Sequence, residues 1–198
     1  VRTVVIDIGK GRDVGGKSAQ PFDRVQFEMS LHATFSAIEI KHARQSIEDI
    51  KPHIREILVQ ARSRKAFASN AADAAVETIM SAASDNAGAL IGVAKLKAKD
   101  EVTFLHSLAV SALMISFGRS LGHDEEVVRR LGTGGLVHDL GKLTLPDSVL
   151  KSKGKLSAEA YALVQTHPER GYEMVSALPD IPREILDICR YHHEKIDG

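Results

Sequence analysis

From about Leu31 onward, apolar residues in this chain recur at the three- and four-residue spacing of helices, and nothing after Ile8 reads convincingly as a strand. The clearest stretch is Ile40, Ala43, Ile47, Ile50, Ile54, Ile57 and Ala61, a heptad-like stripe with a charged opposite face. Pro52 lies inside it and predicts a kink or break there. The stripe admits two uses: a helix pair on the domain's own core, or the seam of a dimer-forming coiled coil. Further on, Asn70 to Ala83 predicts an alanine-rich helix, and Asp85 is placed to cap another running to about Leu96. Glu101 to Leu121 is apolar almost all round, which predicts a buried helix ended by Gly122. Asp124 is placed to cap the next, to about Leu140; Ser157 caps one through Thr166; Asp180 with Pro182 opens the last, through Glu194.

The N-terminal stretch differs. Val1 to Ile8 is short and β-branched, so it reads as a strand, and Gly9 to Gln20 reads as a glycine-rich loop. Gly11 to Ser18 (GRDVGGKS) fits the phosphate-binding loop pattern G-x-x-x-x-G-K-[ST]. In that motif Lys17 and Ser18 would open a helix, yet Pro21 follows where its second turn should begin. The remaining chain offers no parallel strands for such a fold, so the segment is read as a plain surface loop. Both chain ends read as cut, which points to the remnant of a larger sheet before this helical part.

Charge narrows the partners. Basic and acidic residues number 26 each, which argues against a general grip on long nucleic acid but leaves room for a local phosphate pocket. The single cysteine, Cys189, excludes a disulfide framework and suits a reducing, cytoplasmic compartment. No apolar run reaches transmembrane length, so no membrane contact is expected.

Against this aliphatic background stand a few separated histidines and one acid: His106, His138-Asp139, His167 and His192-His193. Imidazoles supply neutral nitrogen ligands, and a carboxylate has two oxygens with which to bridge two cations. Paired cations a few ångströms apart are a common device for hydrolysing phosphate esters. The small run Gly132-Thr133-Gly134-Gly135 just before His138 would let another helix come close. Lys142 falls on the same side as His138, where its ammonium could neutralise a phosphate oxygen. Glu194 could orient an imidazole or simply be solvated.

The run HDLGKLTLPD from His138, then LKSKGKLS, HPERG from His167 and HHEKIDG from His192 resembles the HD-GYP branch of the HD phosphohydrolase superfamily, in order and spacing over about residues 100–198. The stretch VVIDIGKGRD resembles the end of a small domain that often precedes such domains in bacteria. The resemblance implies an all-α, HD-type helical bundle carrying a short N-terminal β remnant. It divides the chain into a β-containing remnant and loop at 1–30, a helical linker or regulatory region at 31–100, and a catalytic domain at 101–198 that stops before the Gly-Tyr-Pro loop.

The resemblance also implies chemistry. Family members hydrolyse cyclic di-GMP to linear pGpG or onward to GMP, and a few prefer hybrid cyclic dinucleotides. Carried over by residue, His106, His138, Asp139, His167, His192 and His193 would be metal ligands, with Asp139 bridging. Lys142 would contact the scissile phosphate, and a metal-bridging hydroxide would attack phosphorus in line. The cofactors implied are two divalent ions, iron or manganese in most of the family. Members with a third metal have a Glu four residues before the first histidine; this chain has Val102 there, so two are expected. The Gly-Tyr-Pro signature, the last metal-ligating Asp and the guanine-contacting basic residues would follow Gly198. Also implied are a homodimer through the 31–62 helical region and a protein partner of the diguanylate cyclase type. A different outcome is a degenerate module of the same family that binds metal or a partner without turnover.

Overall fold

Every element of the computed structural model is helical. The structure describes residues 23–62, 69–96, 102–150, 152 and 156–195, and among them there is no strand. The strand expected at Val1 to Ile8 and the loop pattern at Gly11 to Ser18 lie outside the described residues. The helices are α1 (Arg24–Thr34), α2 (Ala37–Arg62), α3 (Ser69–Leu96), α4 (Val102–Ser120), α5 (Glu125–Val137), α6 (Asp147–Leu150), α7 (Ala158–Val164), α8 (His167–Ser176) and α9 (Arg183–Tyr191). A 3₁₀ turn, Leu140–Thr144, follows α5.

Local chemistry starts four of these helices where an oxygen-bearing side chain meets unpaired N–H groups. Asp23 accepts from the N–H groups of Val25 and Gln26, Asp124 from Val127, and Ser157 from Ala160. At α2 the Ser36 N–H donates to Glu39 at 2.7 Å while Glu39 N–H donates to Ser36 Oγ, a reciprocal capping box.

The isoleucine stripe of α2 lies against α3. Ile40, Ala43, Ile47, Ile50, Ile54, Ile57 and Ala61 are all buried, in one core with Ala75, Val76, Ile79 and Val93 of α3. The core-packing reading of the stripe therefore holds within this chain. Of the kink or break expected at Pro52, the break does not occur, for α2 runs through it from Ala37 to Arg62. A proline inside a helix costs roughly 3 kcal/mol. Each fully buried isoleucine returns about 1.5–3 kcal/mol, and Pro52 itself is on the exposed side. Packing on both sides of the proline outweighs the lost hydrogen bond.

The interruption falls instead in α3. Asn86 has φ −164° and ψ 96°, outside the helical range. Its side-chain oxygen accepts from Ala89 N–H at 2.9 Å, and its amide donates to Glu39 at 2.7 Å. The cap is thus Asn86 rather than Asp85, because only Asn86 satisfies both the new helix start and the capping box of α2.

One hydrophobic core runs from Leu31 on α1 to Cys189 on α9, so the helices of 31–100 and those of 101–198 are packed together. Arg119 fastens the turn between α4 and α5, donating to both carboxylate oxygens of Glu125 and to Met80 O and Ser84 Oγ of α3. Gly122, at φ 75°, makes that turn. The expectation that α4 is buried all round fails on one side: Leu113, Phe117 and Leu121 are 53%, 44% and 58% exposed. Uniform apolarity cannot tell which face finds a neighbour.

Candidate metal centre

The helices that carry histidines meet by their ends. α5 delivers His138 and Asp139 just past its last residue, α8 begins at His167, and α9 ends at His192-His193. His106 reaches in from the first turns of α4. This convergence depends on small residues. A Cβ on Gly135 would come within 3.0 Å of the α4 backbone at Ser111, and one on Gly134 would strike the Ile188 side chain of α9. The glycine run lets α4 and α9 close on α5 from two sides, as its composition predicts. Gly141 is tighter still: a Cβ there would overlap the carbonyl of His167.

Asp139 sits at the middle and is 3% exposed. Its Oδ2 lies 3.3 Å from His138 Nε2 and 3.6 Å from His106 Nε2. Its Oδ1 lies 3.3 Å from His167 Nε2 and 3.6 Å from His192 Nε2. The carboxylate therefore divides four imidazoles into two pairs. His193 joins the second pair: potential ligand atoms of His167, His192 and His193 all lie within 4.8 Å of one another, as do those of His106, His138 and Asp139. All six residues singled out in the sequence thus come to one place. Lys142 joins them, its ammonium 2.7 Å from Asp139 Oδ2.

The imidazoles are turned by the main chain. His138 Nδ1 lies 2.8 Å from Gly135 O, His167 Nδ1 2.6 Å from Val164 O, and His192 Nδ1 3.0 Å from Cys189 O. A carbonyl only accepts, so each Nδ1 carries the proton and each Nε2 presents a lone pair. Those carbonyls belong to the last turns of α5, α7 and α9, where a helix leaves acceptors unpaired. Sequence reasoning missed this device, although its signal was present as a histidine three residues past an acceptor at a predicted helix end. Glu194 does not do the orienting: it is exposed, and its side chain has no hydrogen bond among the described residues.

Electrostatics follow. Burial raises Asp139; positive charge on its imidazole side, as Nε2 protons of His138, His167 and His192 or as a cation in their place, outweighs it and holds the carboxyl well below the usual carboxylate range. Burial, opposed by Asp139, lowers His106; burial, then the neighbouring His192 and His167, lowers His193 to about 4. Both are neutral at pH 7, the form that ligates a cation.

The donor set fits divalent cations. In their neutral Nδ1–H tautomers His138, His167 and His192 turn three nitrogen lone pairs toward the two carboxylate oxygens, and His167 Nε2 stands 3.1 Å from His192 Nε2. Asp139 Oδ1 is buried without a hydrogen-bond partner. Such a cluster of acceptors is repulsive unless positive charge enters it. Donors on one ion at 2.0–2.2 Å sit about 3.0–3.4 Å apart, close to the spacings here.

Among the described residues no helix is long and apolar enough to cross a membrane. Residues 62–198 match the HD domain family. The chain is 33% identical over 204 residues to the cyclic di-GMP phosphodiesterase PA4108 of Pseudomonas aeruginosa, covering 100% of this chain and 49% of that protein. It is 33% identical over 102 residues to 3'3'-cGAMP-specific phosphodiesterase 1 of Vibrio cholerae, covering 51% of this chain and 23% of the relative. It is 38% identical over 79 residues to the cyclic di-GMP phosphodiesterase response regulator RpfG of Xanthomonas campestris pv. campestris, covering 39% and 21%. The chain spans half or less of the length of these relatives. No solved structure matches.

Proposed function

This chain belongs to the HD domain family, and from that premise we propose that it is the metal-dependent part of a cyclic-dinucleotide phosphodiesterase that cleaves cyclic di-GMP to pGpG, GMP or both. The observation that carries this reading is the buried Asp139 carboxylate, one oxygen facing His106 and His138, the other facing His167 and His192. His106, His138 and Asp139 would hold one divalent ion, and Asp139, His167, His192 and His193 the other. Two ions so placed supply Lewis acidity to phosphoryl oxygens and a low-pKa water, the chemistry that in-line hydrolysis of a phosphodiester needs. Iron and manganese suit these ligands.

The chain's own residues do the rest. Asp139 stays ionised and fixes the spacing of the two ligand groups. The carbonyls of Gly135, Val164 and Cys189 keep three imidazoles aimed at it. Lys142 is about one-third exposed, so its ammonium has room to turn from Asp139 to an incoming phosphate. Residues 101–198 carry the chemistry, and 31–100 support it through the shared core. A cytoplasmic location and a protein partner of the diguanylate cyclase type belong to this reading. The α2 stripe faces α3, so a homodimer through 31–62 would use other residues of that region.

A hybrid cyclic dinucleotide is the second substrate to test, because relatives such as the one from Vibrio cholerae are named for 3'3'-cGAMP. The test uses full-length protein, purified anaerobically with its metals counted, beside a His138→Ala, Asp139→Ala double variant. Each receives cyclic di-GMP or 3'3'-cGAMP, and products are resolved by chromatography. Linear product from the wild type alone is expected. Bound metal without turnover of either substrate would leave a binding module; no bound metal after reconstitution with iron and manganese would overturn the reading.

A further inference from the structure

The two sides of Asp139 differ in the positive charge already present. On the Oδ1 side stand His167, His192 and His193, with Oδ1 itself unpartnered. On the Oδ2 side stand only His106 and His138, and the Lys142 ammonium lies on that oxygen at 2.7 Å. His138 Nε2 is 3.3 Å from the same oxygen. An ammonium at hydrogen-bond distance from Oδ2 competes for that oxygen with an ion ligated by Oδ2, His106 and His138. Like charge also opposes that ion wherever the lysine stays near.

We infer that Lys142 is a resident cation that makes the two metal positions fill in order, the Oδ1 side first and tightly, the Oδ2 side second and weakly, with the second ion turning the lysine away from Asp139. This inference rests on the metal-centre reading and adds its regulation. Lys142 sits in the 3₁₀ turn and is about one-third exposed, so the side chain has solvent to turn into. Its release would free the ammonium for a phosphate only when the second ion is in place. The centre would then bind substrate phosphate by this group only when fully loaded.

The inference predicts that removing a lysine improves metal binding. Mn²⁺ is titrated by calorimetry into metal-stripped full-length protein, with bound manganese counted by elemental analysis. The wild type should fill in two resolved steps, and His193→Ala should remove the tighter one. Lys142→Met should tighten the weaker step by about tenfold, the lower range for loss of a charge-assisted hydrogen bond to a partly exposed group, and leave the tighter step alone. Lys142→Gln should behave as Lys142→Met does, and Lys142→Arg should keep the wild-type separation. Two equal wild-type steps, or a weaker step that Lys142→Met leaves unchanged or loosens, would overturn the inference while leaving the metal centre standing. A wild type that takes up no Mn²⁺ would overturn both.

Discussion

The α2–α3 contact and the histidine centre are built by opposite means. The contact repeats one weak interaction along the helices: aliphatic side chains at helical spacing, all buried, none unique. The centre uses a few side chains once each, close to helix ends, with three of its imidazoles turned by a named carbonyl. Repetition tolerates an error, as Pro52 demonstrates inside an unbroken α2. The centre has no such reserve, since Asp139 serves both ligand groups.

Asp139→Asn should expose that difference most. Turnover of cyclic dinucleotide should fall about a thousandfold or more, and metal content should drop, while the metal-free protein keeps its far-UV circular dichroism. Retained two-metal binding in this variant would refute the bridging role. Ile50→Ala should show the converse. A buried isoleucine truncated to alanine costs roughly 2–5 kcal/mol, read from urea unfolding, and metal stoichiometry should survive in the folded fraction. Gly141→Ala joins the two regions, because its methyl group would meet the His167 carbonyl. A loss of about 1–3 kcal/mol is expected from overpacking, together with weaker metal uptake, since His167 must move; unchanged uptake would show that the centre absorbs the shift. The smallest effect belongs to Asn86→Ala, about 1 kcal/mol for a lost cap, with no change in metal content.

The same division governs what could be read beforehand. Periodicity placed α2, and an oxygen-bearing residue before an apolar run placed the starts of α5 and α7, because these depend on neighbours within a turn. The ligand residues were legible from residue type and motif. The break at Asn86 was missed by one position because Glu39, far away in sequence, chooses between Asp85 and Asn86. The open face of α4 was missed because a helix apolar all round carries no sign of which side is covered. The clamp between α8 and α9, where Arg190 donates to both oxygens of Glu169 and lies 4.7 Å from the Tyr172 ring, had no sequence signal at all. Two exposed charges on separate helices look like any others until the helices are placed.

The imidazole-to-carbonyl bonds of His138, His167 and His192 each span three residues. Each aimed nitrogen is therefore completed within a four-residue stretch of chain, which for His167 is the corner between α7 and α8. What tertiary folding adds is only the meeting of three finished fragments around Asp139. Metal uptake by this chain is in that sense a gauge of helix docking: a substitution far from the centre that shifts one helix end should register in cation affinity before it registers in helix content.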